Sequence, residues 1–209
     1  MTPSKNYSLM LEEELKKLRQ EGRVPRLLLQ VCCAPCSSYV LEYLSEYFDI
    51  TLYFYNPNIS PAEENDFRAR ELERLTREMP LSRMPKIVVA PYEPEKFYDA
   101  VRGMEDLPEG GARCAVCYRL RLQKTAVEAA KGGYDYFCTT LSISPHKRAD
   151  WLNAIGGELE EKYGVKYLYS DFKKKNGYKR SLELSREYDL YRQNYCGCEF
   201  SRKEAENRQ

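Results

Sequence analysis

Histidine is nearly absent from this 209-residue chain, His146 being the only one. That excludes a histidine-rich zinc hydrolase, which builds its metal site largely from imidazoles. No apolar run approaches the roughly 20 residues of a membrane span. The N-terminal Met-Thr-Pro-Ser-Lys-Asn-Tyr has no apolar core of the kind a secretion signal carries, so a cytoplasmic protein without a membrane partner is expected. An excess of one charge is missing too. The 33 basic side chains face 32 acidic ones, which rules out a uniformly basic nucleic-acid glove and leaves room for a local basic patch. Repeats, low-complexity tracts and linkers are also lacking, and the length suits one good-sized domain spanning 1–209.

Against these absences stand eight cysteines. A structural disulfide framework belongs to small secreted domains, so metal binding or redox work is the expectation. Seven of them fall in three clusters, Cys32/Cys33/Cys36, Cys114/Cys117 and Cys196/Cys198. Two intervening residues let both sulfurs of a pair reach one metal from a single turn. A structural zinc needs four thiolates and leaves three of the seven over, whereas a four-iron cluster with a redox pair or a second metal uses them all. The Cys-Gly-Cys pair reads either as a dithiol cycling with a disulfide or as two ligands of an extra metal. Cys138, alone in an apolar strand, reads as core, and His146 is given no role.

The chain alternates strands and helices. An N-terminal helix at 8–21 carries Leu9, Leu11, Leu15 and Leu18 at helical spacing, with Ser8 as its cap and Gly22 as its stop. Strands are expected at 27–31, 50–55, 86–90, 136–141 and 165–169. Helices are expected at 37–48, 61–79 and 95–101, after the Gly110-Gly111 approach with Cys114 and Cys117 in the first turns and running on to Lys131, at 151–163 (broken or capped around Gly156-Gly157) and at 181–191, the last capped by Ser181. This order implies a doubly wound, mostly parallel α/β sheet, in which ligands bind beyond the carboxyl ends of the strands. Cys32, Cys33 and Cys36 follow the first strand at such an end, where a helix N-terminus favours thiolates. The run 172–180 carries Lys173, Lys174, Lys175, Lys179 and Arg180 with Phe172 and Tyr178 interleaved, and Arg192 and Tyr195 follow. It reads equally as an RNA platform or as a solvated loop.

CCAPC, RCAVCYRLRL, TTLSISPHK, FKKKNGYKRS and YRQNYCGC, in that order, resemble the QueH-type epoxyqueuosine reductases over residues 27–201. The resemblance implies reductive deoxygenation of epoxyqueuosine to queuosine at the tRNA wobble position, the last step of queuosine synthesis, without cobalamin. It implies a [4Fe-4S] cluster held by Cys32, Cys33, Cys114 and Cys117, and Cys196 with Cys198 as the redox-active pair. Cys36 is left over and would support a second iron with Cys196, Cys198 or Asp171. Asp171 or a thiol would donate the proton, the basic segment with Tyr178 and Tyr195 would bind tRNA, and an electron donor of unidentified kind is needed. Residues 1–26 form a helical extension outside the motifs. The implied fold is similar to the nucleotide-binding folds of PP-loop tRNA-modifying enzymes with helical, cysteine-bearing additions, but CCAPC replaces their Gly/Ser-rich phosphate loop, which argues against ATP. Two rivals are a tRNA-binding module with structural zinc and an iron–sulfur tRNA thiolation enzyme.

Overall fold

The computed structural model describes residues 5–207, so the first four residues of the expected N-terminal extension lie outside the described residues. Five strands, β1 (Arg26–Gln30), β2 (Asp49–Phe54), β3 (Lys86–Val89), β4 (Tyr136–Thr139) and β5 (Lys166–Tyr167), form one sheet in the order β3-β2-β1-β4-β5. Every pair is parallel. The chain winds outward from β1 through β2 to β3, then returns to the other side of β1 with β4 and β5. The reversal falls between β1 and β4, where a doubly wound sheet opens a crevice beyond its carboxyl ends.

Alternation along β1 divides the core. Leu27 and Leu29 face one side, packed with α1 (Tyr7–Glu21), α2 (Ala34–Leu44) and α3 (Ala62–Glu78) through residues such as Leu15, Leu41 and Leu72. Leu28 faces the other, against α5 (Ala112–Lys131) and α6 (Ala149–Tyr163) through Leu122, Ala126 and Leu152. Between β3 and α5 lies the short α4 (Pro94–Ala100), and α7 (Gly177–Glu187) and α8 (Glu199–Glu206) complete the chain. No helix among the described residues is long and apolar enough to cross a membrane.

Several local expectations are corrected. Asn6 rather than Ser8 caps α1, its Oδ1 accepting from Leu9 N at 3.2 Å, and Leu9 is exposed while Leu11, Leu15 and Leu18 are buried. Gly22 does stop that helix, in a left-handed conformation. The strand after Asp135 ends at Thr139, whose Oγ1 accepts from Leu141 N and turns the chain into a short 3-10 helix, Thr140–Ile143. The final strand is reduced to Lys166 and Tyr167. α7 begins four residues before Ser181, because Lys175 and Asn176 adopt positive φ and start the helix at Gly177; Ser181 Oγ donates instead to Tyr178 O. α8 was not expected, and Cys198 caps it, its Sγ accepting from Ser201 N.

α6 runs unbroken through Gly156. A glycine is needed there for close approach, since a Cβ would stand 2.4 Å from the buried ring of Tyr167 on β5. Gly156→Ala is therefore expected to be destabilising: overpacking costs about 1–3 kcal/mol and outweighs the helix-propensity gain of just under 1 kcal/mol. Thermal denaturation should fall by several degrees; an unchanged or raised midpoint would refute the contact.

Candidate metal centre and substrate cavity

The carboxyl end of β1 is tied down before it reaches the cysteines. Gln30 is wholly buried, its Oε1 accepting from Thr139 Oγ1 at 2.7 Å and its Nε2 donating to Tyr55 O at 3.2 Å, so one side chain joins the ends of β1, β2 and β4. Asn56 Nδ2 donates to Val31 O at 2.9 Å. Beyond this belt, Cys33 is the N-cap of α2 in extended conformation, with no side-chain capping bond, and Pro35 follows in the first turn. Its sulfur is thus left for other work.

The sulfurs of Cys32, Cys33 and Cys36 all lie within 4.8 Å of one another, and those of Cys32 and Cys33 are 3.7 Å apart. Thiolates around one tetrahedral ion at about 2.3 Å would stand roughly 3.8 Å apart, so the group has the spacing of a metal site. No other three His, Cys, Asp or Glu among the described residues come this close. Hydrogen bonds from Cys32 and Cys36, with Arg68 adding, hold the Cys33 thiol well below its usual range. Cys32 is pushed up to about 12, first through its bond with Cys33, and Cys36 goes well above the thiol range through its bonds to both neighbours. Of the three, Cys33 is thereby the thiol that gives up its proton most readily, and the thiolate is the form that binds metal.

Cys114 and Cys117 enter from the first turns of α5. Gly110 N donates to Cys114 Sγ at 3.2 Å. Burial drives the Cys117 thiol up to about 12, with Cys196, Cys198 and Cys114 adding and Arg121 opposing. Arg121 interacts electrostatically with Cys117, Cys196 and Cys32, so this one guanidinium lies near thiols of all three clusters. Neither Cys114 nor Cys117, however, joins the close group of Cys32, Cys33 and Cys36 or lines the cavity above it. All eight cysteines, Cys196 and Cys198 among them, are free thiols.

A cavity of about 240 Å³ opens over the Cys32/Cys33/Cys36 group at the crevice between β1 and β4. Cys32, Cys33, Cys36 and Cys196 form part of its wall, and so do His146, Lys147, Tyr178, Arg192 and Tyr195. A family model described as "Epoxyqueuosine reductase QueH" matches residues 27–204. The chain belongs to this family. It is 45% identical over 200 residues to the epoxyqueuosine reductase QueH of Streptococcus pyogenes serotype M1, spanning 95% of this chain and 78% of that relative. To the protein of the same name from Staphylococcus epidermidis it is 42% identical, over 94% of this chain and 84% of that one. With that of Thermotoga maritima the figures are 39%, 84% and 89%.

The QueH site named from sequence is only partly gathered. Cys32, Cys33, Cys36, Cys196, Tyr178, Arg192 and Tyr195 line the cavity. Cys198 does not line it; it is buried at the start of α8, and burial raises its thiol. Asp171 lies in a neighbouring cleft of about 760 Å³, where Lys173 pairs with it at 2.7 Å. Lys174 and Lys175 line that second cleft, Lys175 pairing with Glu12 of α1, while Arg180 pairs with Glu42 of α2 at 2.6 Å. Lys179 is exposed outside both clefts. Phe172, read as part of an RNA platform, is a core residue at 2% exposure. Cys138 is core as expected, its thiol donating to Leu168 O at 3.2 Å.

Sequence reasoning missed the buried cations. Lys147, 9% exposed, donates from Nζ to Cys196 Sγ at 3.1 Å. Burial alone would depress its ammonium; Cys196, then Tyr118, Cys32 and Cys36, outweigh this and push it well up. Arg68 and Arg121 are each 1% exposed. One signal was available for Arg121: it stands four residues after Cys117, on the same helical face.

Proposed function

We propose that this protein reduces epoxyqueuosine to queuosine at the wobble position of tRNA, with residues 27–201 as the catalytic region and 1–26 as a helical extension. The observation that carries the reading is the convergence of thiol groups beneath a cavity that also presents aromatic and cationic side chains, in a chain of the QueH family. Acting on tRNA, it would work in the cytoplasm.

The donor set fits a thiolate-held iron centre. The sulfurs are soft ligands, the Cys33 thiol is lowered by its neighbours, and Nη2 of both Arg68 and Arg121 is buried with no hydrogen-bond partner among the described residues, as suits an anionic neighbour. Cys32, Cys33, Cys114 and Cys117 would hold a four-iron cluster, with Cys36, Cys196 and Cys198 left for a redox pair or a second iron. When bound, such a group supplies electrons one at a time from an external donor.

The wobble base must leave the stack to reach a walled cavity. Tyr178 and Tyr195 offer faces on which it can stack, and Arg192 offers a phosphate or carbonyl contact at the rim. Opening the epoxide to an alkene and water consumes two electrons and two protons. Cys196 is the thiol in the cavity wall, whereas Asp171 is engaged by Lys173 in the neighbouring cleft; we therefore assign a proton to Cys196. Lys174, exposed in the neighbouring cleft, and Lys179, exposed outside both clefts, would meet backbone phosphates. Replacing Lys174 by alanine is expected to weaken tRNA binding several-fold and to lower the salt slope of log K by roughly 0.7–1, measured by filter binding over a salt series. An unchanged slope would remove Lys174 from the interface.

The deciding experiment is an anaerobic assay with dithionite and epoxyqueuosine-containing tRNA. Queuosine is read by mass spectrometry of digested nucleosides, and iron and zinc are quantified in the same sample. Iron with turnover supports the reductase; zinc alone without queuosine supports a binding module; a requirement for ATP supports thiolation.

A further inference from the structure

Buried cations are treated in two ways in this fold. Arg113, 1% exposed, pairs with the Glu204 carboxylate at 3.0 Å and donates to the carbonyls of Glu105 and Leu107. Arg68 is similar in part, with Glu64 at 2.7 Å and Cys196 O at 3.1 Å. Arg121 and Lys147 differ. Arg121 donates from Nε to Cys117 O at 3.5 Å and from Nη1 to Asn56 Oδ1 at 3.4 Å, and its Nη2 is buried without a partner among the described residues. Lys147 donates to the sulfur of Cys196. Among the described residues neither cation forms an ion pair with a carboxylate, although each lies inside the protein.

An unpaired buried charge is costly, and the fold carries two at one place. What they meet is sulfur: the Cys196 sulfur accepts from Lys147, and Arg121, bonded to the carbonyl of Cys117, interacts electrostatically with the thiols of Cys117 and Cys196. Free thiols are neutral and give these cations no counter-charge. Four thiolates on a divalent ion, or on an oxidised four-iron cluster, leave roughly two net negative charges, and reduction of the cluster adds another. Two cations match that charge.

We propose that Arg121 and Lys147 are the fixed counter-charges of the metal–thiolate centre, balanced only when it is loaded and favouring its reduced state. They are positioning residues, acting on substrate through the centre. The proposal rests on the reading that these cysteines bind metal, but not on which reaction follows. It predicts opposite signs in the two forms of the protein. In the metal-free form, removing one cation relieves an unpaired charge; in the loaded form, it strips an anionic centre of its partner.

The test uses Lys147→Met and Arg121→Met, which keep the apolar length of the side chain, with Arg121→Lys as the charge-restoring control. Calorimetry under anaerobic, reducing conditions compares metal-free and loaded protein. Each Met variant is expected to raise the midpoint of the metal-free form, to lower that of the loaded form and to release metal faster to a chelator, while Arg121→Lys stays near the parent. At the parent's midpoint potential, the reduced-to-oxidised ratio should fall about tenfold, which is 59 mV for one electron. Arg121 also bonds Asn56, so Arg121→Met can fail to fold; Lys147→Met then carries the test, because among the described residues the Lys147 ammonium donates only to the Cys196 sulfur. Equal shifts of both forms in one direction, an unchanged potential in an iron-loaded protein, or a protein that takes up no metal would overturn the proposal. Zinc uptake without queuosine formation defeats the reductase reading alone, because the stability comparison runs equally on the zinc form.

Discussion

Cys196→Ser is expected to retain iron and to lower queuosine formation by about two to four orders of magnitude, the range lost with a single proton-transferring or nucleophilic group. Cys196 stands in the cavity wall, and the Lys147 ammonium is 3.1 Å from its sulfur. Its partner in the Cys-Gly-Cys pair is placed differently, with the Cys198 sulfur buried and capping α8. Serine caps helices well, so Cys198→Ser should fold normally, and comparing the two variants separates the mechanisms. If both lose turnover equally, the pair acts as a dithiol, giving two electrons and two protons as it closes to a disulfide. If only Cys196→Ser does, the single thiol is the proton source. Iron lost together with activity would make Cys196 a ligand, and full activity would remove it from the reaction.

Gly177→Ala is expected to be the most damaging glycine substitution in the chain. A Cβ there would stand 2.0 Å from the carbonyl oxygen of Phe172 and 2.5 Å from the ring of Tyr39. Relief requires a backbone shift, because Phe172 is anchored in the core and Tyr39 packs against that core from α2. The loss should be about 3 kcal/mol or more, a fall in thermal midpoint of roughly 6–12 °C for a chain of this length. Tyr178 is the next residue and lines the cavity, so tRNA affinity should fall as well. Gly22→Ala is the control: its φ of +61° disfavours alanine, but nothing lies within 4 Å, and about 1 kcal/mol is expected. A Gly177→Ala protein as stable as Gly22→Ala would show that the segment has room to adjust.

Sequence alone determined the alternation of strands and helices and the parallel, doubly wound sheet it implies. It also located Cys32, Cys33 and Cys36 just past the first strand, and Cys114 and Cys117 at a helix start. These are readable because an apolar run, a helical period or a two-residue cysteine spacing is complete within one or two turns of chain. Where a neighbour distant in sequence overrides the local signal, the reading failed. Gly156 resembles a helix break until Tyr167 is seen against it, and Phe172 resembles a stacking residue until it is seen in the core. Ser181 resembles a cap, yet the helix begins at Gly177.

Tertiary structure alone decided what surrounds the cysteines. The order β3-β2-β1-β4-β5 brings the turn after β4, with His146 and Lys147, to the end of β1, and the segment 192–196 closes the same cavity from the far end of the chain. It also sends Asp171 and the lysines 173–175 to a second cleft. Above all it buries Lys147, Arg68 and Arg121. No local pattern marks a lysine or arginine as buried, because the same side chain is stable in water almost anywhere on a surface; only the assembled fold, by withdrawing water and leaving sulfur as the neighbour, makes those charges part of the site.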